Sequence, residues 1–171
     1  RMLQTRPSWV FLPGTNAYKV KQPVNFGFLD YTALSARRFF CTEEFRLNQI
    51  LSPDIYIDVL PITEARGWLR LGGRGKVIDY CLAMKELPQE WIMTEQLKHD
   101  QVTFEHIDQI ARSIAEFHAH AERGREVAQY GSSEIIKLNW DENFAQTMEF
   151  RGRTITYRAF DETKSAVERF I

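Results

Sequence analysis

Apolar and polar positions alternate along the first half of the chain. "SWVFLPG" and "AYKVKQPV" are two strand-like runs joined by Pro13-Gly14-Thr15-Asn16, a turn signal, so the pattern predicts a hairpin. "DIYIDVLPIT", "GWLRLGG" and "KVIDYCLAMKEL" predict three more strands with glycine-rich turns between them. Between the second and third strands lies "FLDYTALSARRFFCTEEFRLNQILS", which carries a helical period. Asp30 or Thr32 is positioned to cap that helix, and Pro53 follows its end.

After Pro88 the period changes. "EWIMTEQLKHD" predicts a short helix and "TFEHIDQIARSIAEFHAHAERG" a strong one. In the latter Thr103 is the expected cap, Gly124 the expected stop, and Phe104, Ile107, Ala111, Ile114, Ala115 and His118 form the apolar stripe. Residues 132 to 150 read as irregular around one helix, "NWDENFAQTME", and residues 155 to 171 as helical again. The expected fold class is α+β. A five-stranded antiparallel sheet with one packed helix fills residues 1–88, and the first helices of a helical lobe fill residues 89–171.

Composition narrows the partners. Of the 171 residues 44% are hydrophobic and 13% aromatic, enough for a packed core. The net charge of −1 argues against a general nucleic-acid binder, which needs a basic surplus on one face. Cys41 and Cys81 stand far apart without metal-type spacing, so free thiols in a reducing, cytoplasmic compartment are expected. No apolar run approaches the length of a membrane helix, and no signal-peptide core opens the chain. The chain begins at Arg1 and ends at Ile171 within a helical pattern, so both ends look cut.

One constellation has chemical content. Phe40, Cys41, Glu44, Leu47 and Leu51 share a helix face, with Glu44 central in the apolar stripe. A carboxylate there needs a cation or hydrogen bonds, because an unpaired buried charge is costly. Lys19 and Lys21 share one face of their strand with Ala17, by the period of two. Two readings stand on the residues alone. Either a strand lysine reaches Glu44, or Glu44 is solvated beside Glu43 and Arg46 while the lysines protect an exposed strand edge.

Other motifs carry less. "GGRGKV" at residues 72–77 precedes a strand rather than a helix, which makes it a turn and not a dinucleotide loop. His118 lies on the apolar stripe and reads as a hydrogen-bonded core histidine, with no second ligand at i+4. Arg37, Arg38 and Arg46 read as a solvated helix face, and the four tryptophans do not interleave with basic residues.

The order of elements, lysine strand, glutamate helix, more strands and then helices, resembles the small lobe of a protein-kinase-like fold. More closely, the chain resembles the aminoglycoside-phosphotransferase-like kinases, in the bacterial branch often fused to a P-loop ATP-binding domain. The stretches that carry this are "SWVFLPGTNAYKVKQPV", "FGFLDYTALSARRFFCTEEFRLNQILSPDIYIDVLPIT", "LRLGG", "AMKELP" and "IARSIAEFHAHAERG", from about residue 5 to about residue 125.

The resemblance implies ATP and Mg as cofactors. It makes Lys19 the phosphate lysine, with Lys21 as the alternative, and Glu44 its ion-pair partner. Ala17 would lie under the adenine. Thr5 to Ser8 takes the place of the loop over the phosphates, without that loop's glycines. Met84, Lys85, Glu86 and Leu87 match the hinge whose backbone groups read the adenine edge. In the complete protein the γ-phosphoryl group would pass to a hydroxyl of an acceptor that the sequence does not specify.

The catalytic aspartate of an H-G-D-x-x-x-x-N-like loop and the Mg²⁺-binding aspartate are expected beyond Ile171. "HID" at His106 to Asp108 lies within the strongest helix, lacks the following Asn, and is not that loop. The alternative is a non-catalytic nucleotide-sensing or protein-interaction module. Exposed helix faces in a partial lobe would associate with the rest of the polypeptide, with another copy or with a companion chain.

Overall fold

The structure, a computed structural model, describes residues 1–170. It is α+β, with a six-stranded, wholly antiparallel sheet in the order β1-β2-β3-β6-β4-β5. The strands are β1 (Met2–Gln4), β2 (Ser8–Phe11), β3 (Asn16–Lys21), β4 (Tyr56–Ala65), β5 (Trp68–Leu71) and β6 (Lys76–Lys85). The α-helices are α1 (Leu34–Gln49), α2 (Met93–Lys98), α3 (Phe104–His120), α4 (Arg125–Ala128), α5 (Ser133–Thr147) and α6 (Tyr157–Phe170). By internal contacts the chain divides into one unit, Arg1–Ile110, and a second, Ala111–Ile171.

The sheet has one strand more than the five expected. The extra strand, β1, pairs Met2 with Phe11 and Gln4 with Trp9, and the terminal ammonium of Arg1 donates to the Leu12 carbonyl at 2.9 Å. All three β1 residues are exposed, so no buried alternation marks them. Backbone pairing alone defines the strand.

β6 is central. Cys81, Leu82 and Ala83 are almost wholly buried, and α1 lies against β6 and β4. Burial on this scale makes β6 the core of the unit. The turn into β6 needs glycine at Gly75. Its φ is +148°, and a Cβ there would sit 2.4 Å from the Glu64 carbonyl oxygen.

α1 starts without the expected cap. Its N-cap is Ala33, which makes no side-chain capping bond. Asp30 instead accepts from the Thr32 N–H at 2.9 Å and from the Thr32 hydroxyl at 2.6 Å, closing a local turn. Arg37 ties down the entry to the helix. Its Nη1 donates to the Tyr31 and Thr32 carbonyls, both at 2.9 Å, and its Nε meets Asp79 of β6 at 2.8 Å. Arg37 is therefore buried and paired, not part of a solvated face. Arg38 lies over the Tyr80 ring and Arg46 pairs with Glu43. Leu47 and Leu51, expected on the buried stripe, are more than half exposed; the covered face of α1 runs through Arg37 and Cys41.

Thr103 opens α3 as expected, through a reciprocal pair with His106. The His106 N–H donates to Thr103 Oγ1 at 3.4 Å and the Thr103 N–H to His106 Nδ1 at 3.2 Å. The stripe of α3 carries no buried residue, and His118 is exposed rather than a core histidine. Gly124 does not stop α3, which ends at His120; it precedes α4.

Within the second unit, Ser132 caps α5 by accepting from the Ile135 N–H at 3.3 Å, so residues expected to be irregular are helical. Phe160 of α6 is buried, edge-on to Phe144 of α5 at 5.4 Å between ring centroids. Arg151 lies over Phe160 and pairs with Asp161.

Candidate functional site

The strongest cluster of charge in the first unit joins β3 to α1. Lys19 Nζ donates to Glu44 Oε1 at 2.8 Å, and Lys21 Nζ donates to Glu44 Oε2 at 2.7 Å. The strand period brings both lysines to one side, and α1 delivers Glu44 between them. The choice between a paired and a solvated Glu44 is thus resolved as paired, with both lysines rather than one.

The two lysines are not equivalent. The Lys21 side chain is 4% exposed, against 29% for Lys19 and 20% for Glu44. Lys21 also reaches the Tyr31 hydroxyl at 3.4 Å and stands 4.8 Å from that ring's centroid, a cation–π contact. Among the described residues Lys19 makes one hydrogen bond, to Glu44. An ammonium so placed has donors left for an anion.

Electrostatics follow the geometry. Burial pushes the Glu44 carboxyl up, but hydrogen bonds from Lys19 and Lys21 more than reverse this and hold it below its ordinary value. Burial pushes the Lys21 ammonium down, and Glu44 reverses that through its hydrogen bond and charge, leaving Lys21 above its ordinary value. Burial pushes the thiols of Cys41 and Cys81 up to about 11, so both are inert thiols at neutral pH. Both are free.

The other expected residues lie near this cluster in the sheet. Ala17 is buried on β3 and pairs with Met84 of β6. Ser8 stands opposite Lys21; it is 1% exposed, and its Oγ has no hydrogen-bond partner. Thr5 to Ser8 forms the β1–β2 turn, closed by a Thr5 N–H to Ser8 carbonyl bond of 2.9 Å. Gln22 pins the turn from the end of β3, its backbone N–H to the Pro7 carbonyl and its Nε2 to the Thr5 carbonyl, each at 2.8 Å.

In the Met84–Leu87 run, Met84 pairs with both Ala17 and Tyr56. The Lys85 N–H donates to the Ile55 carbonyl at 2.9 Å and the Glu86 N–H to the Thr15 carbonyl at 3.1 Å. Both amides are committed to the protein's own backbone. Glu86 Oε2 is buried without a partner.

Tyr31 is the site residue that the sequence pattern missed. It lies inside the stretch that reads as helical, yet α1 begins only at Leu34, so helical spacing does not place it. Among the described residues no group of three or more His, Cys, Asp or Glu side chains is placed to hold a metal ion. No described helix is long and apolar enough to cross a membrane.

Known proteins give similarity without a function. The chain is 23% identical over 168 residues to Uncharacterized protein Rv2004c and Uncharacterized protein MT2060 of Mycobacterium tuberculosis, and equally to Uncharacterized protein Mb2027c of Mycobacterium bovis. The match covers 98% of this chain and 32% of each relative, so the chain spans about a third of their length. No family model and no solved structure matches the chain.

Proposed function

We propose that the chain supplies the ATP-binding part of a small-molecule phosphotransferase of the aminoglycoside-phosphotransferase type, with a protein-kinase-like small lobe in its first unit. The observation that carries this is the grip of β3 lysines on Glu44 of the helix inserted between β3 and β4. A third-strand lysine paired to a helix glutamate is the device by which such folds hold ATP phosphates.

On this reading Lys19 meets the phosphates, because it is the more exposed ammonium and makes one hydrogen bond. Ser8, 1% exposed opposite Lys21, is as covered as Lys21 and offers no open donor to the phosphates. Ala17 lies under the adenine. Of the Met84–Leu87 run, the Lys85 and Glu86 amides are spoken for. Adenine contact therefore falls to Leu87 and the backbone carbonyls. Mg²⁺ would neutralise the charge that develops on the transferring phosphoryl group. Its ligands and the catalytic aspartate come from the longer protein. The chain's own residues bind and orient, which is most of what this chemistry requires. The corresponding compartment is the cytoplasm, where Cys41 and Cys81 stay reduced.

Titration calorimetry of Mg·ATP into the intact protein tests the reading, with Lys19→Ala and Glu44→Ala alongside. The expected result is binding that each substitution weakens about tenfold or more, the scale of a charge-assisted hydrogen bond. Unchanged affinity in both variants would sink it. A second reading is a nucleotide-sensing module without turnover; the one H-x-D sequence of the chain, His106 to Asp108, lies inside α3 and supplies no catalytic loop. Mg·ATP binding by the intact protein without phosphoryl transfer to any hydroxyl acceptor would select it.

A further inference from the structure

We infer that the β4–β5 hairpin, with the turn that follows it, docks on a membrane surface rich in anionic phospholipid. β5 is an edge strand of the sheet, and β6 and β4 stand between it and the lysines of β3.

The hairpin is cationic and its cations are free. Arg66, Arg70, Arg74 and Lys76 are all exposed. Among the described residues none of the four takes part in an ion pair or a side-chain hydrogen bond. The one carboxylate of residues 64–78 is Glu64, which stands opposite Lys76 and Leu69 in the sheet. The three arginines are left without a counter-charge, in a chain whose net charge is −1. The anion they attract must come from outside the hairpin.

Arg66 carries the most information. The hairpin turns through Arg66 and Gly67, between the paired residues Ala65 and Trp68. Both turn residues have positive φ, +54° and +77°. Asparagine, aspartate or glycine fits the first position of such a turn with less strain than arginine does. The turn gains nothing from the guanidinium that Arg66 holds at the hairpin tip.

Apolar side chains are exposed beside these cations. Trp68 is 73% exposed and Leu69 62%, and Leu71 is exposed as well. Trp68 stands two positions from Arg66 and from Arg70, the exception among tryptophans otherwise set apart from basic residues. By the strand period Trp68 and Leu69 lie on opposite faces of β5, and both are open. A folded partner or a nucleic-acid groove covers one face of a strand. A lipid interface surrounds both, with leucine toward the acyl chains, tryptophan at the headgroup level and arginine on the phosphates. Exposed leucines add nothing to stacking on bases. Cations that only guarded the edge against pairing would lie along β5, where Arg70 stands alone.

Flotation of the intact protein with vesicles tests this, using equal parts phosphatidylglycerol and phosphatidylcholine against phosphatidylcholine alone. Binding to the anionic vesicles is expected, weakened at high salt, with little on the neutral ones. Arg66→Asn should weaken binding about fivefold, the scale of one cation at an anionic surface. It should melt no lower than the wild type, because asparagine suits the turn. Arg74→Gln gives an independent reading with the same expected loss. Leu69→Ser should also weaken binding, as insertion requires. No enrichment on anionic over neutral vesicles would overturn the inference, as would wild-type binding by both arginine variants. Loss in the arginine variants with none in Leu69→Ser would overturn the lipid assignment. A single-stranded oligonucleotide bound more tightly than the vesicles would overturn it in favour of nucleic acid.

Discussion

Glu44 holds two ammonium groups, and its removal should be felt at once. Glu44→Ala leaves Lys21 buried beside Tyr31 without a counter-charge. The expected cost is about 3–5 kcal/mol, the range for breaking a buried pair, measured by urea unfolding of the intact protein. Lys19→Ala should cost much less, because Lys19 is part-exposed and Glu44 keeps Lys21. The pH dependence has a definite sign. The Glu44 carboxyl lies below its ordinary value of 4.5, so its contribution is present above that value and is lost as pH falls through the folded midpoint. Lys21 lies above its ordinary 10.5, so its contribution is present below that value and is lost as pH rises through the folded midpoint. In Glu44→Gln the acid-side loss should shrink, and a urea series between pH 3 and 7 would detect it, about the window that ordinary carboxylates span.

The elements show why part of the site was legible in the sequence and part was not. Strand period two and helical spacing put Lys19 and Lys21 on one strand face and Glu44 on its helix stripe, because both are local rules, but they leave open whether the three groups meet. The covered lysine, Lys21, sits against Tyr31, whose position is set by the Arg37 and Val24 hydrogen bonds rather than by helical spacing. Arg37 itself misleads for the same reason. Next to Arg38 it reads as solvated, yet a carboxylate on β6, 42 positions along the chain, accounts for its burial. β1 is three exposed residues defined by pairing, and pairing partners are not local. The start of α5 is set by the hydroxyl of Ser132, while its weak amphipathic pattern gives periodicity little to find. At this scale Arg37→Met should destabilise by roughly 3 kcal/mol or more, by stranding Asp79 and two carbonyls, while Asp79→Asn with Arg37 retained should cost less. Leu82→Ala, at the centre of β6, should cost about 2–5 kcal/mol. Thermal unfolding of the three variants gives the order.

At the scale of the whole molecule, a six-stranded antiparallel sheet carries one helix inserted between β3 and β4. The relatives are about three times the length of this stretch, and their names assign no activity. The fold alone does not assign one either. Its most specific feature is a carboxylate shared by two lysines, one covered and one part-exposed, and the proposed nucleotide site rests on it. The most direct test is the calorimetric titration of Mg·ATP into the intact protein and its Lys19→Ala variant. Saturable binding in the first, weakened about tenfold or more in the second, is the predicted result. Equal affinity in the two, or no heat of binding in either, would contradict the claim that Lys19 and Glu44 form a nucleotide-phosphate site.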